Sequence, residues 1–308
     1  MKAFHSDRLA LVLPPGHTFP ASKYRKLREL VESWPEIELH EAAAADDATL
    51  SLAHEPAYVS AVVGNRLDVA EQRAIGFPWS ESMLERSRRS VGATIAAARA
   101  ALVDGIAANL AGGTHHASAS RGSGYCVFND VAVASRLLQA ERAQRPLRIA
   151  VIDLDVHQGD GTASIFADDP TVFTLSLHGA RNFPFRKARS DLDVGLADGC
   201  GDADYLAALS DALDALEQEH RAGPFGLAFY LAGADPHEDD RLGRLKLSSA
   251  GLLERDRAVL ERLSAWRVPV ALAMAGGYGR NLDVTAAIQA ATLRAGIDFW
   301  RQWNNAGP

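Results

Sequence analysis

The chain has only two cysteines, Cys126 and Cys200, in 308 residues. That is too few for a disulfide framework and points to a reducing compartment. No hydrophobic run approaches the roughly 20 residues of a membrane span, and the N-terminal LALVL (residues 9–13) is far too short for a signal peptide. A cytoplasmic protein without membrane contact is expected. Basic stripes are missing too: the formal charge is −7, and RKLREL (25–30) and ERSRRS (85–90), the densest basic patches, read as solvated helix faces. Phosphate recognition needs a Lys/Arg stripe, so nucleic acid is excluded as the main partner, whereas an acidic surface is compatible with a cationic substrate. No repeat, low-complexity tract or Pro/Gly/Ser-rich linker divides the chain. With 47% hydrophobic and 23% charged residues it reads as one globular domain over residues 1–308.

What is present is a succession of apolar runs alternating with amphipathic stretches, the mark of an α/β protein with a mainly parallel sheet flanked by helices. Strands are expected at 105–113, 148–156, 171–178, 225–233 and 268–276, and helices at 81–102, 126–142, 202–220, 249–266 and 284–302. Asp202 is the expected N-cap of the third helix. The strands lead into GGTHHA, DLDVHQGDG, SLHGARNFPF, GADPHEDD and GGYGRN, so the unusual polar groups gather at carboxyl ends, where open parallel sheets bind ligands.

In RIAVIDLDVHQGDGT (148–162), Asp153, Asp155 and His157 recur at every second position and share one face, opposite Ile152, Leu154 and Val156. Carboxylates crowded onto a core strand repel and lose hydration unless a cation compensates. Asp155 and His157 can both reach a metal ion, and Asp235 offers a third ligand from a neighbouring strand. An isolated Asp-Pro ordinarily starts a turn, but beside Asp155 and His157 it reads as a ligand. This N/O set suits zinc or ferrous iron with a coordination position left open.

His115 and His116 follow a Gly112-Gly113 turn that lets both line a pocket. Hydrolysis at such a metal needs a base for the water and an acid for the leaving amine, which two imidazoles can share. Asp153 and Asp160 are free to orient them. Tyr278, held in a glycine turn, fits as a donor to an oxyanion.

Together GGTHHA, GYCVFNDVAVA, DLDVHQGDGT, GADP…DRLG and GGY resemble the zinc-dependent histone deacetylase family of the arginase-deacetylase fold, in order and approximate spacing. LPPGHTFPASKYRKLREL, IGFPWS and HQGDG are similar to its small bacterial and class IV members. The resemblance implies one zinc ion held by Asp155, His157 and Asp235, with His115 and His116 as the catalytic pair. Asp153 and Asp160 would be their partners and Tyr278 the carbonyl-polarising residue. It implies a potassium ion using the Asp153 side chain, the carbonyls of Asp155 and His157, and Ser176 and Leu177. Gly124, Tyr125 and Phe183 match positions lining the family's acyl-lysine tunnel, Tyr125 standing where many members carry Phe. The implied substrate is an acylated lysine in a protein or peptide, with an acetylated polyamine as the alternative.

A manganese ureohydrolase shares the fold but needs additional carboxylate ligands, which GGTHHA and AGADPH do not supply. An Asp-x-Asp phosphatase lacks its downstream Lys and paired Asp, and a binding module that had lost catalysis would lack Tyr278 or a histidine. His237, Glu238, Asp239 and Asp240 receive no role from the sequence.

Overall fold

The computed structural model describes residues 1–8, 11–142, 144 and 147–305; Leu9 and Ala10, which open the LALVL stretch, lie outside them. Eight strands form one sheet: β1 (Lys2–His5), β2 (Glu38–Glu41), β3 (Ile106–Asn109), β4 (Ile149–Asp153), β5 (Val172–Gly179), β6 (Leu192–Leu196), β7 (Leu227–Leu231) and β8 (Val270–Ala273). Their order is β2-β1-β3-β8-β7-β4-β5-β6, and every pairing is parallel. The helices among the described residues are α1 (Ser22–Val31), α2 (Asp47–Leu50), α3 (Pro56–Val63), α4 (Val69–Ile75), α5 (Glu81–Asp104), α6 (Asp130–Glu141), α7 (Asp160–Phe166), α8 (Asp202–Ala222), α9 (Ser249–Ala265) and α10 (Leu282–Asn305). None is long and apolar enough to cross a membrane.

Alternation along the strands divides the core in two. Ala108, Ile152, Leu154 and Val156 pack with residues of α1, α8, α9 and α10, whereas Ala107, Ile149 and Val151 pack with residues of α5 and α6. Burial on both faces explains the near-continuous apolar strands.

Three expectations are corrected. β4 ends at Asp153, so Asp155 and His157 leave a bent segment rather than a strand. Leu154 N still reaches Leu231 O at 3.1 Å. Beyond it, the Val156 and His157 amides donate instead to the side chains of Asp235 and Asp155, each at 2.9 Å. α6 starts at Asp130 rather than 126, because the Asn129 side chain accepts from Ala132 N and sets the helix start there. Asp202 is the first residue of α8 rather than its cap, which is Gly201. Its carboxylate instead accepts from the amide and hydroxyl of Ser248, tying the starts of α8 and α9 together.

Candidate active site

The carboxyl ends of β3, β8, β7 and β4, adjacent in the sheet, lead into the segments carrying the polar groups. Asp155, His157 and Asp235 are buried, with one ligand atom from each within 4.8 Å of the others. His157 Nδ1 lies 3.0 Å from Asp155 Oδ1 and 3.4 Å from Asp235 Oδ2. Asp235 Oδ2 is buried with no hydrogen-bond partner among the described residues. The wall opposite is kept bare by Gly276, where a Cβ would lie 1.8 Å from that oxygen and 2.5 Å from Asp155 Oδ2. Burial and the charge of Asp155 push the Asp235 carboxyl up to about 7. Burial opposes charging of His157, yet the Asp155 and Asp235 carboxylates beside it carry it up to about 10. Without an ion, these residues draw in protons. A buried cluster short of positive charge, with one nitrogen and two carboxylates, fits a divalent cation such as zinc.

The histidine pair sits beside this cluster. Gly112 and Gly113, at φ 77° and 69°, turn the chain after β3. Asp130, at the start of α6, accepts from the amides of Gly113 and Thr114 and the Thr114 hydroxyl, fixing the turn. His115 Nδ1 lies 2.6 Å from Asp153 Oδ2, and His116 Nδ1 lies 2.6 Å from Asp160 Oδ1. Burial resists charging of His115, but Asp153 and Asp155 raise it to about 9. His116 is lowered to about 4 by burial and by its neighbour His115.

Tyr278 closes the site in the turn after β8, its ring centroid 6.4 Å from that of His157. Three residues that the sequence left without a role hold this turn. Asp240 Oδ2 accepts from Tyr278 N at 2.6 Å, and Arg241 Nε donates to Tyr278 O at 2.9 Å. Lys23, fully buried in α1, donates to Ala275 O and Gly277 O at 3.0 and 3.3 Å, with its ammonium 5.3 Å from the Tyr278 ring. Burial, with Tyr24 and the Asp155 and Asp235 carboxylates nearby, pushes the Tyr278 phenol well above its ordinary value, so it remains a proton donor.

A cavity of about 470 Å³ opens from the site to the surface, lined by Gly124, Tyr125, Phe183, Ile75, Leu242 and Tyr278 among others. Gly124 is required, because a Cβ there would meet His116 Cδ2 at 2.5 Å and its φ is 53°. The Tyr125 hydroxyl bonds Thr18 Oγ1 at 3.1 Å. A smaller cavity of about 50 Å³ continues inward past Gly113 and Ser90 to Arg86. Arg86 therefore departs from the solvated helix face expected of ERSRRS: its guanidinium lies 4.6 Å from the Tyr24 ring centroid. The residues implied for potassium also meet, since Asp153 and Ser176 are register partners on β4 and β5, with Leu177 next in line.

Arg255, in α9 and wholly buried, escaped the sequence reading. Its Nη1 donates to Gly233 O at 2.6 Å and Leu154 O at 3.3 Å, bridging from behind the segments that carry Asp235 and Asp155. Asp256 balances its charge and accepts from the Tyr230 and Thr292 hydroxyls.

The histone deacetylase domain family model matches residues 17–295. An uncharacterized protein of Picosynechococcus sp. is 45% identical over 284 residues, covering 91% of this chain and 92% of its own. Histone deacetylase 2 of Arabidopsis thaliana is 31% identical over 277 residues, covering 86% and 70%. Among solved structures, an HDAC homolog from Aquifex aeolicus superposes with a TM-score of 0.78 at 25% identity, over 99% of this chain and 84% of the other. The parallel sheet with its site at the carboxyl ends is thus the arginase-deacetylase fold, and the chain belongs to the histone deacetylase family.

Proposed function

We propose that this protein is a zinc-dependent amidohydrolase that removes acetyl or other short acyl groups from lysine side chains. The observation that carries the reading is the convergence of His115 Nε2 and His116 Nε2, 3.2 Å apart, each imidazole anchored to its own carboxylate beside the Asp155–His157–Asp235 cluster. Those three residues would hold zinc, which supplies Lewis acidity toward the acyl oxygen and the attacking water. His116, neutral through burial, accepts the water's proton, while charged His115 stabilises the developing negative charge. The imidazole pair returns a proton to the leaving amine, and the Tyr278 hydroxyl donates to the acyl oxygen as it gains charge. Asp153 and Ser176 would border a structural potassium ion.

The lining of the tunnel supports the choice of lysine over a free polyamine. Its apolar wall of Tyr125, Phe183, Ile75 and Leu242 suits a four-methylene stem, and among the described residues no carboxylate lines its mouth to attract a second ammonium group. Purified zinc-loaded protein should hydrolyse acetyl-lysine peptides with higher kcat/KM than acetylputrescine or acetylspermidine. A tenfold preference for the polyamines would overturn the lysine assignment and leave the zinc chemistry standing.

A further inference from the structure

We propose that the groove beside the tunnel mouth is a subsite for the residues flanking an acylated lysine, and that it selects a flanking carboxylate. The proposal rests on the acyl-lysine reading above. A second cavity, of about 360 Å³, is lined by His17, Val69, Gln72, Phe77 and Pro78. It shares Arg73 and Gly76 with the tunnel mouth. A peptide whose lysine stem fills the tunnel has this groove as a continuous path for one flank, whereas a free acetylated amine has nothing to place there.

The charge of the rim gives the path its selectivity. Arg73, in the last turn of α4, is exposed and makes no ion pair among the described residues. Among the described residues neither cavity is lined by Asp or Glu. Of the carboxylates in the neighbouring segments, Asp239 pairs with Arg280, Asp240 binds Tyr278 N, and Asp68 and Glu71, which keep their charge in the capping box of α4, line neither cavity among the described residues. Two other segments that supply mouth residues repeat the pattern. Arg121 is close in sequence to Ser123 and Arg186 to Phe183, and both are exposed without an ion pair among the described residues. On a chain of net charge −7, this rim runs against the overall sign. Exposed Val69, in the groove wall, adds apolar surface beside the charge. An acyl-lysine with a neighbouring Asp or Glu complements both features, and Lys or Arg at that position meets repulsion.

Two labelled acetyl-lysine peptides, identical except for Glu or Lys on both sides of the acetyl-lysine, test this on the zinc-loaded protein. Anisotropy reads binding and product release reads turnover. The Glu peptide should bind about fivefold more tightly at low salt, with kcat unchanged. The advantage should shrink toward unity at about 0.5 M NaCl, where screening shortens to a few ångströms, and should invert in Arg73→Glu. Because the ratio is read within one preparation, partial misfolding of the variant cannot produce it. Equal affinities at low salt, or a preference that survives both salt and Arg73→Glu, would overturn the subsite while turnover keeps the hydrolytic reading. A salt-sensitive Glu preference without release of acetate would uphold the subsite and sink that reading.

Discussion

His115 and His116 aim their Nε2 atoms at one point, 3.2 Å apart, while their Nδ1 atoms are bound by carboxylates from different elements, Asp153 at the end of β4 and Asp160 at the start of α7. Both carboxylates favour a charged ring, yet the proton affinities diverge because burial and the neighbouring His115 lower His116. His115, beside Asp153 and Asp155, is held charged, and His116 is held neutral. His116→Ala should therefore be at least as damaging to kcat as His115→Ala. Near-normal rates in both variants would remove the pair from the mechanism.

Tyr278→Phe keeps the ring and its turn but deletes the donor. Loss of one oxyanion donor costs about 3 kcal/mol, so kcat should fall by roughly 10² or more, with KM changing far less. Steady-state kinetics within threefold of the unaltered protein would exclude Tyr278 from acyl-oxygen stabilisation.

Metal content and pH should be linked. Asp235 and His157 both have raised pKa values in the folded, metal-free chain, so the native state binds their protons more tightly than the unfolded one does. Asp235's contribution is complete below its ordinary 3.8 and lost as pH rises toward about 7; His157's is complete below 6.5 and lost toward about 10. His54, His116 and His178, each lowered to about 4, oppose this on the acid side, so the metal-free protein should lose thermal stability from about pH 6.5 to 8, where His115 and His157 lose their protons' contribution. If one zinc per chain replaces those protons, the gain in Tm on adding zinc should grow over the same interval, with protons released on binding. A gain independent of pH, or two manganese ions per chain by elemental analysis, would contradict this.

Arg255→Met tests the support behind the ligands. It leaves Asp256 buried and uncompensated, which costs about 3–5 kcal/mol, and frees Leu154 O and Gly233 O. Zinc affinity, read by competition with a chromophoric chelator, should fall by about 10- to 100-fold, the scale of lost outer-sphere support. Unchanged affinity in folded protein would show that the two segments hold their positions without the guanidinium.

The legible parts of this molecule are those with local pattern. Asp153, Asp155 and His157 stand out because charge at every second position contradicts an apolar strand, and Asp235 because it follows another such strand. β2 and β6 are the edge strands, partly exposed and carrying charge, so their residues imitate loops. Arg255 and Lys23 look like ordinary surface cations in amphipathic helices. Only the backbone carbonyls they meet, 101 and 252 positions away, make them interior residues. Asp240 was conspicuous among the acids after Asp235, but its partner, the Tyr278 amide, lies beyond any local pattern.

The adjacency of β4 and β7 has a temporal consequence. Val156 and Asp235, joined in the metal cluster's framework, are 79 positions apart in the chain. The Asp155–His157 segment alone offers two ligands, so an ion cannot gather its full coordination set until the later strand has been made and docked. Unlike small domains in which metal nucleates folding, a chain with this ligand set would have to close its sheet first. On the zinc reading proposed above, metal loading would be a late checkpoint of synthesis, a step at which a nearly finished chain would pass from inert to active.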